Sequence, residues 1–357
     1  MLILSNVEKF NTPAYVFSEI QLLESYKSLC SKMPEVCVYY TLKANAEIPI
    51  LQSLEKVCAG FEVASDGEFE RALAAGIPAN KIICGLPVKK ISTIEHLYKK
   101  GCNYFIFDLM SEYKKLQIFA PNARKILRIN INDILPHSLE FGMSCKEIEN
   151  LICSKQTGKM IMEGLSFHIS DNKNIDAFNL VWERVLNILQ IVSFSYDQEF
   201  ILNIGGGYRN YASNEFFENL TTKVISLKAK YPKISVIAEP GNTIVNDCGL
   251  LITKVIALRQ RSEFIDVYMD AGKPSGLKTD NKRIPEYIYV AQKAVVTKLK
   301  KYRFVDLTCM HRPHFAFELP YEIMVDDVLV FGGMGAYSVC LQSQFHAWKA
   351  PNIYMIE

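Results

Sequence analysis

The sequence has no strong charge imbalance and no long apolar run, and each absence excludes a class of protein. Forty basic and 38 acidic side chains in 357 residues leave a net charge of +2, without a long basic run. Neither nucleic acid nor an anionic membrane is therefore predicted as a partner. No apolar stretch approaches the ~20 residues of a membrane span, and the first residues lack the features of a signal peptide.

Paired cysteine and histidine motifs are also missing. The ten cysteines occur without a Cys-x-x-Cys motif, which in a chain of this length indicates reduced thiols in the cytoplasm rather than a disulfide framework. The six histidines show no His-x-x-x-His spacing, so no metal site is predicted. The composition is otherwise ordinary for a globular protein, and the chain has room for one large barrel and a smaller domain.

Eight short β-rich segments recur along the first two thirds of the chain, with space for a helix after each. They are predicted as strands at Val38–Ala44, Gly60–Ser65, Ile82–Gly85, Tyr104–Asp108, Lys125–Asn132, Glu163–Ile169, Phe200–Gly205 and Val236–Pro240. Ser65 and Glu68 match a helix capping box, and Gly76 matches a C-terminal cap. Such a series of β/α units favours a (β/α)8 TIM barrel, with a doubly wound open sheet as the second possibility.

The pattern changes after about residue 245, where helical periodicity disappears. Longer strands are predicted there at Leu250–Leu258, Phe264–Met269, Ile288–Leu299 and Val328–Phe331, and the segment Thr12–Phe17 has the same character. We therefore expect residues 1–20 to add a strand to a C-terminal all-β domain of residues 246–357, a sandwich or barrel. Residues 21–245 would form the (β/α)8 barrel.

Candidate functional residues fall at the predicted ends of barrel strands, where such barrels carry their chemistry. Lys43 ends the first strand among apolar neighbours, and burial there would favour the neutral amine that condenses with a carbonyl group. His168 ends the sixth strand, Gly205–Gly207 follow the seventh and let backbone N–H groups approach an anion, and Glu239 ends the eighth. Taken singly, Lys43 could be an ordinary exposed lysine, His168 a histidine of the core and Gly205–Gly207 a mobile turn. Together they are the parts needed to hold pyridoxal phosphate.

At these positions the chain resembles the ornithine/diaminopimelate decarboxylase family, the fold-type III pyridoxal-phosphate decarboxylases, which have an alanine-racemase-like barrel. The resemblance runs from residue 12 to residue 346. The matching motifs are Tyr40–Asn45, Gly164–His168, Gly205–Gly207, Glu239–Gly241, Met269–Gly272, Thr308-Cys309 and Gly335–Tyr337.

The resemblance implies a role for each matched residue. Lys43 would bind the cofactor as a Schiff base, His168 would stack on its ring, and Glu239 would hold the pyridine nitrogen. The phosphate would be bound by the residues Ser170, Gly205, Gly206, Gly207, Gly241, Asn242 and Tyr337. Cys309 would serve the cofactor of a neighbouring subunit and return a proton to the product, which implies a homodimer with shared active sites.

The chain also departs from the family pattern. Asp171 stands where a phosphate-binding hydroxyl is expected, Asn242 replaces an arginine, and Glu62 replaces a more usual aspartate. Met310 and Val290 occupy the places of the two acids that hold the distal ammonium of ornithine or lysine.

The segment after Cys309 is locally basic, with His311 and Arg312. We therefore predict a decarboxylase for an amino acid or conjugate with an anionic distal group, in a specialised biosynthetic pathway such as siderophore formation. Alternatives are a decarboxylase of ornithine, lysine or diaminopimelate, a pyridoxal-phosphate racemase or other lyase, and a catalytically silent binding protein.

Overall fold

The computed structural model describes residues 7–132, 134–135, 141–153, 162–169, 175–191, 199–208, 213–279, 284–308 and 313–357. The chain divides into two compact units. One unit is continuous and runs from Tyr26 to Thr243, and the other combines the residues up to Ser25 with those from Ile244 to Glu357. In the described residues, no helix is both long enough and apolar enough to cross a bilayer.

Sixteen strands and nine α-helices are described along the chain. The strands are β1 (Ala14–Ser18), β2 (Cys37–Thr41), β3 (Gly60–Val63), β4 (Ile82–Cys84), β5 (Tyr104–Phe107), β6 (Arg124–Arg128), β7 (Gly164–Ser166), β8 (Phe200–Asn203), β9 (Ile234–Ala238), β10 (Gly249–Gln260), β11 (Ile265–Met269), β12 (Ile288–Val290), β13 (Lys300–Val305), β14 (Phe315–Leu319), β15 (Val328–Phe331) and β16 (Asn352–Ile356). The helices are α1 (Glu19–Lys32), α2 (Ile48–Glu55), α3 (Asp66–Ala74), α4 (Ile91–Lys99), α5 (Met110–Phe119), α6 (Cys145–Cys153), α7 (Ile175–Ile191), α8 (Asn214–Lys230) and α9 (Asn242–Val245).

Strands β2 to β9 form a closed parallel barrel in sequence order, which confirms the predicted (β/α)8 fold and excludes the open sheet. Closure is made by β2 and β9, where Cys37 pairs with Ile237 and Val38 with Ala238. Five isoleucines from five different strands form a buried cluster, and burying each side chain stabilises the fold by ~1.5–3 kcal/mol. They are Ile83, Ile106, Ile126, Ile201 and Ile237.

The predicted helix signals around α3 are present, with one difference in hydrogen bonding. Ser65 caps the helix, since its hydroxyl accepts the backbone N–H of Glu68 at 3.1 Å. The Glu68 carboxylate accepts the N–H of Ala64 at 2.6 Å rather than that of Ser65. Gly76 follows the helix with φ +91°, the left-handed conformation that favours glycine.

The second unit is built mainly of β-strands, as predicted, and they form one eight-stranded sheet. Six strands follow one another in the order β12-β15-β10-β11-β13-β14, and β1 pairs antiparallel with β10 and parallel with β16. The predicted strand Ile288–Leu299 is wrong beyond Val290, because Gln292 adopts φ +55° and ends the extended backbone. Strands β13, β14 and β16 were not predicted.

Candidate active site

Lys43 lies in a short 3-10 turn, Leu42–Ala44, directly after β2. Its side chain is exposed, so the predicted burial is wrong. The physical reason is that β2 ends at Thr41, and the turn that follows buries Leu42 and Ala44 but leaves Lys43 exposed between them. An exposed primary amine at this end of the barrel is accessible to an aldehyde.

Gly241 allows the turn that carries Lys43 to approach the end of β9. A Cβ atom on Gly241 would lie 2.7 Å from both Ala44 Cβ and Thr41 Cγ2, closer than carbon atoms can pack. The N–H of Thr41 donates to the carbonyl of Pro240 at 3.3 Å. The Glu-Pro-Gly motif and the lysine motif therefore hold each other in place.

The glycine loop after β8 has a conformation and an environment that exclude side chains. Gly205 and Gly207 have φ values of +69° and +98°. A Cβ atom on Gly205 would lie 2.6 Å from the carbonyl oxygen of Phe167, and one on Gly206 would overlap the carbonyl oxygen of Glu239. The loop is thus packed against the segments after β7 and β9, and bare backbone is required there.

His168 is held as a neutral ring beside this loop. The N–H of Gly206 donates to Nδ1 of His168 at 3.2 Å, so the proton of the neutral imidazole lies on Nε2. Burial, followed by the positive charges of Lys43 and Arg128, lowers the pKa of His168 to about 3. At neutral pH the ring is uncharged and flat, as a stacking partner for an aromatic cofactor must be.

Glu239 is a buried carboxylate with a second carboxylate, that of Glu62, nearby. Burial and then the charge of Glu62 raise the pKa of Glu239 to about 7, against the opposing effects of Lys43, a hydrogen bond from Asn203, and Arg128. Nδ2 of Asn203 donates to Oε1 of Glu239 at 2.5 Å. Glu62 in turn accepts a hydrogen bond from the hydroxyl of Thr41.

The sequence did not point to Asn203 or Arg128. Arg128, Ser166 and Asn203 end three adjacent strands and are in register across the barrel wall. The guanidinium of Arg128 lies 5.4 Å from the ring centre of Phe141. Burial lowers its pKa, and the charges of Glu239, Asp108 and Glu62 oppose that change. The signal available was a polar residue at the end of each strand, but the predicted strands ran past these positions.

The structure brings together Lys43, His168, Gly205–Gly207, Glu239 and Gly241 at one end of the barrel, with Asn242 as the first residue of α9. Tyr337 belongs to the β unit, where its φ is +50°, and Val290 is buried at the end of β12. Other predicted site residues lie outside the described ranges. They are Ser170, Asp171, Cys309, Met310, His311 and Arg312.

These residues fit pyridoxal phosphate. A reachable amine, a neutral imidazole, a buried carboxylate and a backbone loop without room for Cβ atoms are the groups that this cofactor requires. In the described part of the chain, no three His, Cys, Asp or Glu side chains are arranged to hold a metal ion.

Comparison with known proteins agrees with this geometry. Residues 20–246 match the family model described as "Pyridoxal-dependent decarboxylase, pyridoxal binding domain". An ornithine decarboxylase of Schizosaccharomyces pombe is 29% identical over 92% of this chain and 79% of its own length. The Aspergillus flavus decarboxylase flvG is 26% identical over 96% of this chain and 84% of its own. The crystal structure of the arginine decarboxylase of Paramecium bursaria Chlorella virus superposes with a TM-score of 0.87 at 22% identity, covering 99% of both chains.

Proposed function

The chain belongs to the pyridoxal-dependent decarboxylases, and on this basis we propose that it removes the α-carboxylate of an amino acid with an anionic distal end. The distal group would be a free carboxylate or part of a larger carboxylate-bearing conjugate, made in a specialised pathway such as siderophore biosynthesis. The observation that carries the catalytic part is the convergence of Lys43, His168, the glycine loop and Glu239 on one end of the barrel.

Each barrel residue has a defined task in this proposal. Bound pyridoxal phosphate supplies a ring that accepts the electron pair left by the departing carboxylate. Lys43 supplies the amine that bonds the cofactor's aldehyde, and the N–H groups of the glycine loop bind its phosphate. The neutral ring of His168 packs against the face of the cofactor. Ionised Glu239 accepts a hydrogen bond from the pyridine N–H and keeps that nitrogen protonated.

Cys309 would complete the reaction in a second copy of the chain. By family resemblance its thiol returns a proton to the α-carbon at the neighbouring subunit's cofactor. Ser170 and Tyr337 would add hydroxyl groups to the phosphate site, and Gly241 and Asn242 would add backbone and amide donors. The protein is therefore proposed to act as a homodimer with shared active sites.

The anionic distal group is supported first by the missing acids. Met310 and Val290 stand where relatives that act on ornithine or lysine hold the distal ammonium with carboxylates. An ammonium group buried without an anion is penalised by several kcal/mol. His311 and Arg312 add positive charge instead, and an arginine pairs with a carboxylate through two parallel hydrogen bonds.

A cavity within the β unit supports the same conclusion. It has a volume of about 540 Å³ and is lined by residues that include Lys273, Asp306, Thr308 and His314. Thr308 directly precedes Cys309 in the sequence. Its volume is in the range of sites that enclose ligands of moderate size, which favours a bulky distal group.

The charges in the wall of this cavity favour an anion. Asp306 is the acid there, and its negative charge is already engaged by Thr308, through its N–H at 2.9 Å and its hydroxyl at 2.5 Å, and by His314 at 3.0 Å. Burial acts to raise the pKa of Asp306, but these hydrogen bonds hold it at about 2. Among the described residues, Lys273 forms no ion pair, and its exposed ammonium is available to a carboxylate.

The test is release of CO2 from a panel of basic, acidic and conjugated amino acids. Substrates with an anionic distal end should be turned over, and ornithine and lysine poorly. Lys43→Ala should abolish turnover of every substrate, which serves as the control. Arg312→Ala should raise KM for the true substrate much more than it lowers kcat. Ornithine is the second candidate because several relatives carry its name, and efficient decarboxylation of free ornithine or lysine would contradict the anionic pocket.

A further inference from the structure

Asn203, the last residue of β8, contacts two parts of the site at once. Its side chain is fully buried. Nδ2 donates to Oε1 of Glu239 at 2.5 Å, and Oδ1 accepts the N–H of Gly205 at 2.9 Å. The orientation of the amide is determined, because the N–H of Gly205 can only donate and so requires the oxygen of Asn203. The NH2 group must therefore face Glu239.

We propose that Asn203 is a positioning residue, which orients the Glu239 carboxylate toward the ring nitrogen of the cofactor and couples it to the phosphate loop. This rests on the roles given to Glu239 and to Gly205–Gly207 under the proposed function. Asn203 does not touch substrate or cofactor in this scheme, and it acts through Glu239 and Gly205.

The hydrogen bond from Asn203 fixes the rotation of the Glu239 carboxylate. One lone pair of Oε1 points at the amide N–H, and this sets the directions of the remaining lone pairs of both oxygens, which are the ones that can accept from the ring nitrogen. The amide donor carries no net charge. It thus supports the ionised carboxylate without adding a second cation beside the pyridine N–H.

A backbone hydrogen bond also links Glu239 to the glycine loop. The N–H of Glu239 donates to the carbonyl of Gly205 at 2.8 Å. Gly205 therefore accepts from the backbone of Glu239 while it donates to the side chain of Asn203. A displacement of the loop would move the carboxylate with it, which is the coupling that the proposal requires.

Other charged and titratable groups face Glu239 from four directions. Glu62 lies on β3, Lys43 follows β2, Arg128 ends β6, and Tyr208 follows the glycine loop. Asn203 is the residue that bonds both the carboxylate of Glu239 and the backbone of Gly205. The effects of the other groups on Glu239 are the same in the unaltered chain and in a variant at position 203. A difference between the two proteins can therefore be assigned to residue 203.

Asn203→Asp tests the proposal with a side chain of the same shape. The oxygen toward Gly205 is kept, but a second oxygen then faces Oε1 of Glu239 at hydrogen-bond distance. Two carboxylates can remain so close only while they share a proton, and that proton is lost as pH rises. We expect the variant to bind pyridoxal phosphate nearly as tightly as the unaltered chain at about pH 6, and at least about tenfold more weakly at about pH 8.5.

The experiment uses full-length protein. At each pH, the Kd of the variant for pyridoxal phosphate is divided by the Kd of the unaltered chain, so that the titration of the cofactor, which affects both values, cancels. Asn219→Asp is the matched control. It adds the same charge to the same unit, at an amide that donates to Asn179 at 2.9 Å on the outer helices, and its ratio should not change with pH. A ratio for Asn203→Asp that is constant with pH would overturn the proposal.

A second measurement needs no variant at position 203. In the unaltered chain, the side-chain amide protons of Asn203 should shift in NMR spectra with the same midpoint as the ionisation of Glu239, because the hydrogen bond strengthens as the carboxylate forms. Glu239→Gln should abolish this shift. An amide signal that stays constant through that ionisation also overturns the proposal. If Glu239→Gln leaves the Kd for pyridoxal phosphate unchanged, the assigned role of Glu239 fails instead.

Discussion

Charge state matters as much as position for the side chains at the carboxyl end of the barrel. The pKa of Glu239 is raised and that of His168 is lowered, so each shift favours the neutral form of its side chain. Burial favours the neutral form of each. The carboxylate is partly returned to its charged form by Lys43, Arg128 and Asn203, whereas the two cations keep the imidazole neutral.

The pKa of His168 predicts a pH dependence of stability. The folded chain keeps His168 neutral down to about pH 3, whereas an unfolded chain takes up a proton at pH values below about 6.5. Stability is therefore lost as pH falls through that window. Relative to His168→Gln, which does not titrate, the unaltered chain should lose up to about 2 kcal/mol of unfolding free energy between pH 7 and pH 5.

Urea denaturation of both proteins at several pH values measures this difference. The variant provides the control for every other titrating group, since those groups are shared. A difference between the two proteins that does not vary with pH would show that His168 takes up its proton at the same pH in the folded and in the unfolded chain.

Sequence alone identified the residues whose types are uncommon at strand ends, and it missed those whose roles depend on register. Lys43, His168 and Glu239 stand out because a charged or titratable group directly follows an apolar strand. Asn203 was included within a predicted strand that extended to Gly205, whereas the observed strand ends at Asn203 itself. Its role became visible only when Glu239, on another strand, was found at its side.

At the scale of elements, the apolar periodicity was sufficient to predict the barrel but not the ends of its strands. β2 and β6 end three or four residues before the predicted limits, at Thr41 and Arg128. Apolar residues continue into the segments that follow, since those segments are also buried. Periodicity reports burial, and it does not report where pairing between strands stops.

The glycine loop provides a prediction at this scale. Gly206→Ala should lower the affinity for pyridoxal phosphate and destabilise the chain by ~1–3 kcal/mol, because the new Cβ would overlap the carbonyl oxygen of Glu239. Gly67→Ala in α3 is the matched control. Its Cβ would lie 3.8 Å from the nearest atom, and we expect a gain of ~0.5–1 kcal/mol.

Thermal unfolding and cofactor titration of both variants make the comparison. If Gly206→Ala bound pyridoxal phosphate as well as Gly67→Ala does, the loop would not need bare backbone at that position.

At the scale of the whole molecule, the proposed active site needs residues from two copies of the chain. Lys43 lies in the barrel unit and Cys309 in the part of the chain that contains the β unit. Mixing inactive Lys43→Ala with inactive Cys309→Ala should restore activity, because each mixed dimer has one site with both residues intact. Random exchange gives up to about a quarter of the activity of the unaltered protein.

Mass spectrometry of differently labelled chains verifies that subunits have exchanged. Each variant carried alone through the same exchange is the control and should stay inactive. Verified exchange without any recovery would mean that each chain builds its site alone.

The position of β1 has a consequence for synthesis on the ribosome. Ala14 pairs with Ile252 on one side and with Asn352 on the other, so this strand emerges long before either neighbour is translated. The residues of the barrel unit, Tyr26 to Thr243, are continuous and can collapse during that interval. Val16 of β1 is fully buried in the finished sheet. Until the neighbouring strands are made, the apolar side chains of β1 stay exposed and its backbone N–H and C=O groups stay unpaired. The nascent chain thus exposes an unpaired apolar strand through most of its elongation. We therefore expect chaperones to bind this segment.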